Sequence, residues 1–248
     1  MKFEIVTLFP DYFSLSLRQS LIGKAWDKRL FDIEIVNLRD FAVDKHRTVD
    51  DTPFGGGGGM VMKIEPLDRC LQSLGYRPGT PTGDRERIVL TSAAGKPFVQ
   101  ETAVAYSLMD RLTIICGHYH GVDERLVQLY DVDELSVGDY VLSGGEPAAL
   151  VVLDAAARLI PKVLGNFESA TGDSYMDGLT GTPCYTRPAE YNGLSVPEAL
   201  MSGDHAAVRK FRRLAALRKC AHNRPDLLER AELTDSEIRW LEDNNDES

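Results

Sequence analysis

The stretch from Arg87 to Cys116 decides the fold class; it begins Arg87-Ile-Val-Leu-Thr91 and ends Leu112-Thr-Ile-Ile-Cys116. Both ends are short and apolar and contain β-branched residues, which is typical of parallel strands that are buried on both faces. Residues 99–109, between them, have the pattern of a crossover helix. A strand, a helix and a second strand in this order predict a parallel sheet and an α/β protein.

The same alternation continues on either side of this stretch. Residues 3–9 and 31–35 alternate as strands do, and residues 11–26 between them carry an apolar side chain at every fourth position, as a helix does. Glu146–Ile160 predicts an apolar helix, with one proline in its first turn and a second proline directly after it. The sheet is therefore expected to involve most of the first two thirds of the chain.

The character of the sequence changes after Pro161. The next residues are rich in glycine, serine, threonine and proline, which is typical of a linker or loop. Beyond them Asp204 is placed to cap a helix, and Thr234-Asp-Ser-Glu237 has the pattern of a capping box. We predict an α/β domain over residues 1–161, a flexible linker over 162–175 and a helical domain over 176–248.

The charge of the chain is unevenly distributed. The net charge is −10, but the segment His205–Arg224 has no acidic residue and carries seven lysines and arginines. Such a run is either a solvated helix face or a surface that binds phosphates, since binding by counterion release requires only local positive charge.

The cysteines and the hydrophobic pattern indicate a cytoplasmic protein. The four cysteines are far apart and form no C-x-x-C pair, which argues against a zinc site or a disulfide framework. The amino terminus has the pattern of a strand and not of a signal peptide. No apolar run approaches the ~18 residues that a membrane helix needs, so no membrane partner is expected.

Three glycine-bearing segments follow predicted elements, at 91–95, 117–121 and 136–146. Ligands of open α/β sheets bind beyond the carboxyl ends of the strands, and glycine allows the backbone to approach a ligand closely. Each segment alone is an ordinary turn, but three of them at successive strand ends favour one shared pocket.

The run of five glycines, Gly55–Gly59, fits no phosphate-binding motif. It is followed by Met60-Val-Met62 and not by Lys-Ser or Lys-Thr, and no G-x-G-x-x-G opens the first helix. It is either a flexible connector or a backbone segment that closes over a flat base or a cofactor.

Five motifs together resemble one known family. They are His46–Met60, Gly117–Arg125, Ser136–Glu146, Pro183–Pro188 and Leu200–His205. In this order they are similar to the signatures of the bacterial tRNA (guanine-37-N1)-methyltransferases, which belong to the SPOUT superfamily. The resemblance extends in one register from residue 1 to about residue 245.

The resemblance implies a SPOUT-type trefoil-knotted sheet domain followed by a small all-helical C-terminal domain. It also implies a homodimer with its active sites at the subunit interface, S-adenosyl-L-methionine bound in a bent conformation, and an anticodon stem-loop of tRNA held by the C-terminal domain. By motif match, twelve residues are expected to bind the cofactor. They are Ser92, Ala93, Gly95, Gly117, Tyr119, Val137, Gly138, Asp139, Tyr140, Val141, Leu142 and Gly144.

Methylation of guanine N1 requires removal of the N1 proton and stabilisation of the negative charge that develops on O6. By resemblance, Asp173 is the general base, Arg158 faces O6 and Ser169 helps to hold the base. Asp50 and Gly59 are expected to contact the target base or its neighbour, although Asp50 also fits a turn or cap aspartate.

Three positions depart from the family pattern. His118 and His120 stand where the family commonly has arginine and glutamate, and Gly58 stands where proline is usual. The glutamate is implicated in magnesium dependence, and a neutral imidazole is a poor Mg²⁺ ligand. No metal ligand is assigned, and magnesium use is left open.

Three other functions are weighed against this one. The first is a related SPOUT enzyme that methylates a ribose 2′-oxygen or another RNA site, which would need no carboxylate base at a ring nitrogen. The second is a catalytically silent RNA-binding protein, against which the presence of both Arg158 and Asp173 argues. The third is a small-molecule enzyme, for which the basic segment would have no purpose.

Overall fold

The computed structural model describes residues 1–165, 174–176 and 178–244. The chain divides into two compact units, Met1–Gly165 and Asn166–Ser248. Of the residues predicted for catalysis, Ser169 and Asp173 lie outside the described residues, as does much of the predicted linker over 162–175.

The first unit is built on a parallel sheet of five strands. The strands of this unit are β1 Lys2–Thr7, β2 Asp32–Asn37, β3 Asp50–Asp51, β4 Val61–Met62, β5 Glu86–Pro97, β6 Arg111–Cys116 and β7 Val132–Ser136. The order in the sheet is β2-β1-β6-β5-β7, and β3 and β4 form a separate two-stranded antiparallel ladder. The predicted α/β class with a parallel sheet is confirmed.

Helices connect these strands. They are α1 Phe13–Ser16, α2 Ser20–Asp27, α3 Ile64–Ser73, α4 Gln100–Ser107, α5 Arg125–Leu129 and α6 Glu146–Ala157, with 3-10 turns at Pro10–Tyr12 and Leu38–Phe41. The prediction of one continuous helix over residues 11–26 is wrong. The helix is interrupted between Ser16 and Ser20. The φ of Ser20 is 57°, in the left-handed region that a continuous right-handed helix does not contain.

Two apolar clusters form because successive side chains of a strand point to opposite faces of the sheet. On β1, Phe3 and Ile5 pack into one cluster, while Val6 packs with Leu8 into the other. Helix α6 covers the first cluster and α3 covers the second, and both faces of the sheet are therefore buried. Burial on both faces explains why the strands read as continuous apolar runs.

One buried charge interrupts the apolar strands. Glu4, which is 1% exposed, accepts hydrogen bonds from Arg111 Nε at 2.9 Å and Thr113 Oγ1 at 2.8 Å. Lys2 Nζ lies 2.9 Å from the other carboxylate oxygen. Burial acts to raise the pKa of Glu4, but these hydrogen bonds outweigh it and hold the pKa below its usual value.

The second unit is mainly helical where it is described. Its helices are α7 Glu198–Met201, α8 His205–Asn223, α9 Pro225–Leu228 and α10 Asp235–Asp243, and its strands are β8 Glu190–Tyr191 and β9 Leu194–Ser195. The expectation of an all-helical domain is wrong in one respect, because β8 and β9 pair as an antiparallel hairpin. Asn192 and Gly193 connect these strands with positive φ, as tight hairpin turns require.

Both predicted helix caps in the second unit are confirmed. The Asp204 side chain accepts hydrogen bonds from Ala206 N and Ala207 N at the start of α8. At the start of α10, Thr234 and Glu237 form the reciprocal bonds of a capping box. These contacts satisfy backbone N–H groups that have no partner inside the helix.

Candidate active site

A cleft of about 560 Å³ lies at the carboxyl edge of the sheet, beyond β5, β6 and β7. Residues from all three glycine-bearing segments line it, so the structure brings the three together as one pocket. Its volume is within the usual range of small-molecule sites.

The floor of the cleft is a close backbone crossing. Gly145 N donates to Gly117 O at 2.7 Å, and Gly117 N donates to Thr91 Oγ1 at 3.1 Å. A Cβ on Gly117 would lie 2.6 Å from Thr91 O, and a Cβ on Gly145 would lie 2.7 Å from Gly117 N. Both distances are too short for carbon, so glycine is required at these two positions for the segments to meet.

The first of the three segments differs from its prediction as a loop. Strand β5 continues through it to Pro97, and its pairing with β7 shifts register between Thr91 and Lys96. Gly95 lies against β7, where a Cβ would stand 2.6 Å from Leu135 C. The segment is therefore an irregular part of a strand, and its intervening residues reach the cleft.

The third segment is shaped by its own hydrogen bonds. Gly138, with a φ of 152°, donates through its N–H to Ser136 Oγ at 3.2 Å. Tyr140 Oη donates to Val137 O at 3.1 Å, and the tyrosine ring lies across Gly138. These bonds leave Val141 and Leu142 exposed at the mouth of the cleft.

Most of the residues predicted to bind the cofactor line this cleft. They are Ser92, Ala93, Gly117, Tyr119, Val137, Gly138, Tyr140, Val141, Leu142 and Gly144. Gly95 and Asp139 do not line it, although both are adjacent in sequence to residues that do.

A buried polar group beneath the cleft was not predicted. Glu146, 3% exposed at the start of α6, accepts a hydrogen bond from Thr7 Oγ1 at 2.7 Å. Its Oε2 and His118 Nδ1 each lie 2.5 Å from the position of a Cβ on Gly144, so this glycine leaves room for both. Burial, together with the nearby charge of Glu146, raises the pKa of the Cys116 thiol. An acid in the first turn of an apolar helix is the only sign of this group in the sequence.

The five-glycine run reaches the cleft through His120. The β3–β4 ladder pairs Asp50 with Met62, and Met60 O accepts a hydrogen bond from His120 N at 3.0 Å. A Cβ on Gly59 would lie 2.9 Å from His120 Cγ. The predicted substrate residue Gly59 therefore contacts a residue that lines the cleft, whereas Asp50 is one strand further away.

The structure does not bring Arg158 to this cleft within one chain. Arg158 follows the last residue of α6, whose first residue is Glu146 beside the cleft. Twelve residues of helix separate the two ends, a distance of ~18 Å at the usual helical rise. Arg158 is half-buried and does not line the cleft.

Three carboxylates are among the residues that line the cleft; they are Asp123, Glu124 and Glu134. Arg125 donates to both oxygens of Asp123, at 2.8 and 2.6 Å, and these hydrogen bonds lower the pKa of Asp123. Within the described part of the chain, no three histidine, cysteine or acidic side chains are grouped as metal ligands would be.

The basic segment of the second unit forms α8, and its cations divide into two sets. Three of them contact other residues of the same unit: Arg213 pairs with Glu237 at 2.7 Å, Arg218 lies over the Trp240 ring, and Arg224 pairs with Asp226. The others are exposed; they are Arg209, Lys210, Arg212 and Lys219. Only part of the charge run is thus used within the unit.

The parallel sheet and the backbone-lined cleft at its carboxyl edge define an α/β protein in which glycine-bearing segments form a candidate ligand site. A family model described as tRNA (Guanine-1)-methyltransferase TrmD matches residues 1–230, and the chain belongs to this family. Among the described residues, no helix has the length and apolar character needed to cross a membrane.

Curated relatives resemble the chain over almost its whole length. A tRNA (guanine-N(1)-)-methyltransferase of Geotalea uraniireducens is 47% identical over 243 residues, which are 98% of this chain and 96% of the relative. That of Geobacter metallireducens is 48% identical over 97% of this chain and 96% of its own length. That of Latilactobacillus sakei is 44% identical over 100% of this chain and 99% of its own length.

Proposed function

We propose that the protein transfers a methyl group from S-adenosyl-L-methionine to N1 of guanine at position 37 of tRNA, next to the anticodon. The observation that carries the proposal is the match of residues 1–230 to the family model, combined with a cleft lined by ten of the twelve residues assigned to the cofactor. The curated relatives are named tRNA (guanine-N(1)-)-methyltransferases, which agrees with the base and the atom in this proposal.

The cleft suits this methyl donor. The three segments that meet at Gly117 and Gly145 line the cleft with backbone that can contact a purine and an amino acid, and Tyr119 and Leu142 add exposed side-chain surface. The carboxylates of the lining complement a positively charged sulfonium. The bound cofactor supplies an electrophilic methyl group.

The protein must supply a proton acceptor and a positive charge for the base. We assign the acceptor to Asp173, which takes the N1 proton of guanine, and we assign the charge to Arg158, which stabilises the negative charge that develops on O6. Ser169 helps to hold the base. An ordinary aspartate is a weak base, and burial beneath the bound tRNA would raise its proton affinity.

The position of Arg158 supports a homodimer with active sites at the subunit interface. Because α6 carries Arg158 away from the cleft of its own chain, its proposed role at O6 would require the cleft of a second chain. We also assign to the first unit the trefoil knot of this family, with which the register shift in β5 is compatible. The unit after the linker 162–175 would bind the anticodon stem-loop through α8, and the cytoplasm would be the site of action.

The decisive experiment uses tritiated S-adenosyl-L-methionine and two tRNA transcripts that differ only in having guanine or adenine at position 37. We expect label in the guanine transcript alone, at N1. Equal label in both transcripts, or none in either, would contradict the proposal. The assay with and without a chelator decides whether Mg²⁺ takes part.

The role of Asp173 is tested by Asp173→Asn in single-turnover reactions. We expect the rate to fall by about 10²–10⁴-fold, since a general base contributes this much, while the affinity for S-adenosylhomocysteine stays within about twofold. Asp84→Asn, an exposed carboxylate of the first unit, is the matched control. A normal rate in Asp173→Asn would remove this residue from the mechanism.

A further inference from the structure

His120 belongs to two parts of the site at once. It lines the cofactor cleft, and its ring lies across Gly59 in the five-glycine run. We propose that His120 is a positioning residue, whose imidazole holds the glycine run against the cofactor-binding segment so that the target base is presented to the methyl group. This inference rests on the proposed function and adds His120 to its residues.

The backbone beside His120 forms a continuous connection. His120 N donates to Met60 O, Met62 N donates to Gly121 O, and Asp123 N donates to Met62 O, each at 3.0 Å. Met62 and Val122 also form a parallel bridge. These bonds attach one end of the glycine run to the cleft segment Gly117–Asp123.

Side-chain contact extends this connection by one residue into the run. A Cβ on Gly59 would lie 2.9 Å from His120 Cγ and closer still to Cδ2 and Nε2, so the flat ring rests on the glycine backbone. At Gly55, Gly56, Gly57 and Gly58, by contrast, no described atom lies within 4 Å of such a Cβ. His120 is thus the side chain that contacts the run where the run enters the cleft.

Ordering the glycine run on tRNA binding costs conformational entropy. Glycine loses more conformational freedom on ordering than any other residue, so a five-glycine run resists being held in one conformation. A ring that packs on Gly59 removes part of this freedom before RNA binds. The cost of ordering the run is then smaller when the base arrives, and binding of tRNA is tighter.

The proposal predicts a separation between tRNA binding and cofactor binding. His120→Ala should raise the KM for tRNA by about tenfold, which corresponds to 1.4 kcal/mol, and should leave the affinity for S-adenosylhomocysteine within about twofold. His120→Phe, which keeps a flat ring, should restore the KM. His46→Ala, at an exposed histidine outside the cleft, is the matched control.

Gly59→Ala provides an independent test, because its methyl group would displace the imidazole and its φ of 87° disfavours alanine. Combined with His120→Ala, it should raise the KM by less than the product of the two single effects, since both changes remove one contact. Hydrogen exchange of the amides of residues 55–62 supplies a readout without activity, and we expect faster exchange in His120→Ala.

The outcomes separate this inference from the proposed function. If wild-type protein fails to label the guanine transcript, the proposed function is wrong. If the wild type is active, but His120→Ala has the KM and exchange rates of the wild type, the positioning role of His120 is wrong. A multiplicative effect of the two substitutions, or a His120→Phe variant as impaired as His120→Ala, would equally overturn it.

Discussion

Gly145→Ala is the sharpest test of how the cleft is built. Gly145 caps α6 with φ −80° and ψ −5°, a conformation that alanine adopts readily. Its Cβ, however, would lie 2.7 Å from Gly117 N and 2.9 Å from Cys116 Cα, and closer still to Thr91 Oγ1. The substitution therefore isolates the close approach of the segments from any effect of backbone conformation.

The expected loss of stability follows from these contacts. Forcing a methyl group into a packed site costs ~1–3 kcal/mol. Displacing Thr91 Oγ1 also endangers its hydrogen bonds with Gly117 N and Ile115 O, each worth ~0.5–1.5 kcal/mol. Alanine also lowers the conformational entropy of the unfolded chain, which offsets ~0.4–1 kcal/mol of this loss. These contributions add to a net loss of ~1–5.5 kcal/mol, and we also expect weaker cofactor binding, because the displaced segments form the cleft floor.

The assay is urea unfolding at one protein concentration, with calorimetric titration of S-adenosylhomocysteine. Gly83→Ala is the control: its φ is not left-handed, and its Cβ would lie 3.6 Å from Glu86 Cγ, an ordinary contact. We expect the control to be as stable as the wild type or slightly more stable. A Gly145→Ala variant within ~0.5 kcal/mol of the wild type, with unchanged cofactor affinity, would refute the argument that glycine is required there.

Two further predictions concern the second unit. The hydrogen bond from Arg213 lowers the pKa of Glu237 to about 2. The ionised carboxylate should therefore contribute fully to the free energy of unfolding above the ordinary glutamate pKa, and this contribution should be lost as pH falls towards 2. The stability difference between the wild type and Glu237→Gln, measured by urea unfolding, should therefore shrink below pH ~4, and a difference that is constant down to pH 2 would contradict this. If exposed cations of α8 contact phosphates, the double variant Arg212→Gln/Lys219→Gln should reduce the slope of log affinity for tRNA against log salt concentration by about 1.5–2. The control is Arg85→Gln, which breaks a surface pair with Asp110 in the first unit and should leave this slope unchanged.

The elements that were predicted well are those with a strong local pattern. The runs at β5 and β6 are apolar because both faces of the sheet are covered, and the caps at Asp204 and Thr234 are visible because their partners lie within three residues. The residues of strand β7 were not assigned from the sequence, since Val132-Asp-Glu-Leu-Ser136 has few apolar residues and forms a strand by pairing with β5.

The site was predictable in composition but not in arrangement. Motif resemblance identified the glycines and Tyr140, yet no local pattern indicates that Gly145 crosses Gly117 or that His120 rests on Gly59. The two glycine contacts depend on atoms that are distant in sequence. The helix pattern of residues 11–26 was equally uninformative about Ser20, whose left-handed φ lies at the start of α2, after α1 has ended at Ser16.

The sequence by itself determined the α/β class, the helix caps, the glycine-bearing segments and the family, because each depends on residue types at short or fixed spacing. The tertiary structure alone decided that the three segments share one cleft, that Glu146 and Thr7 meet beneath it, and that Arg158 lies at the far end of α6 from it. The reason is geometric: parallel strands bring their carboxyl ends to one edge of the sheet whatever their separation in the chain, and a helix moves its two ends apart by its own length.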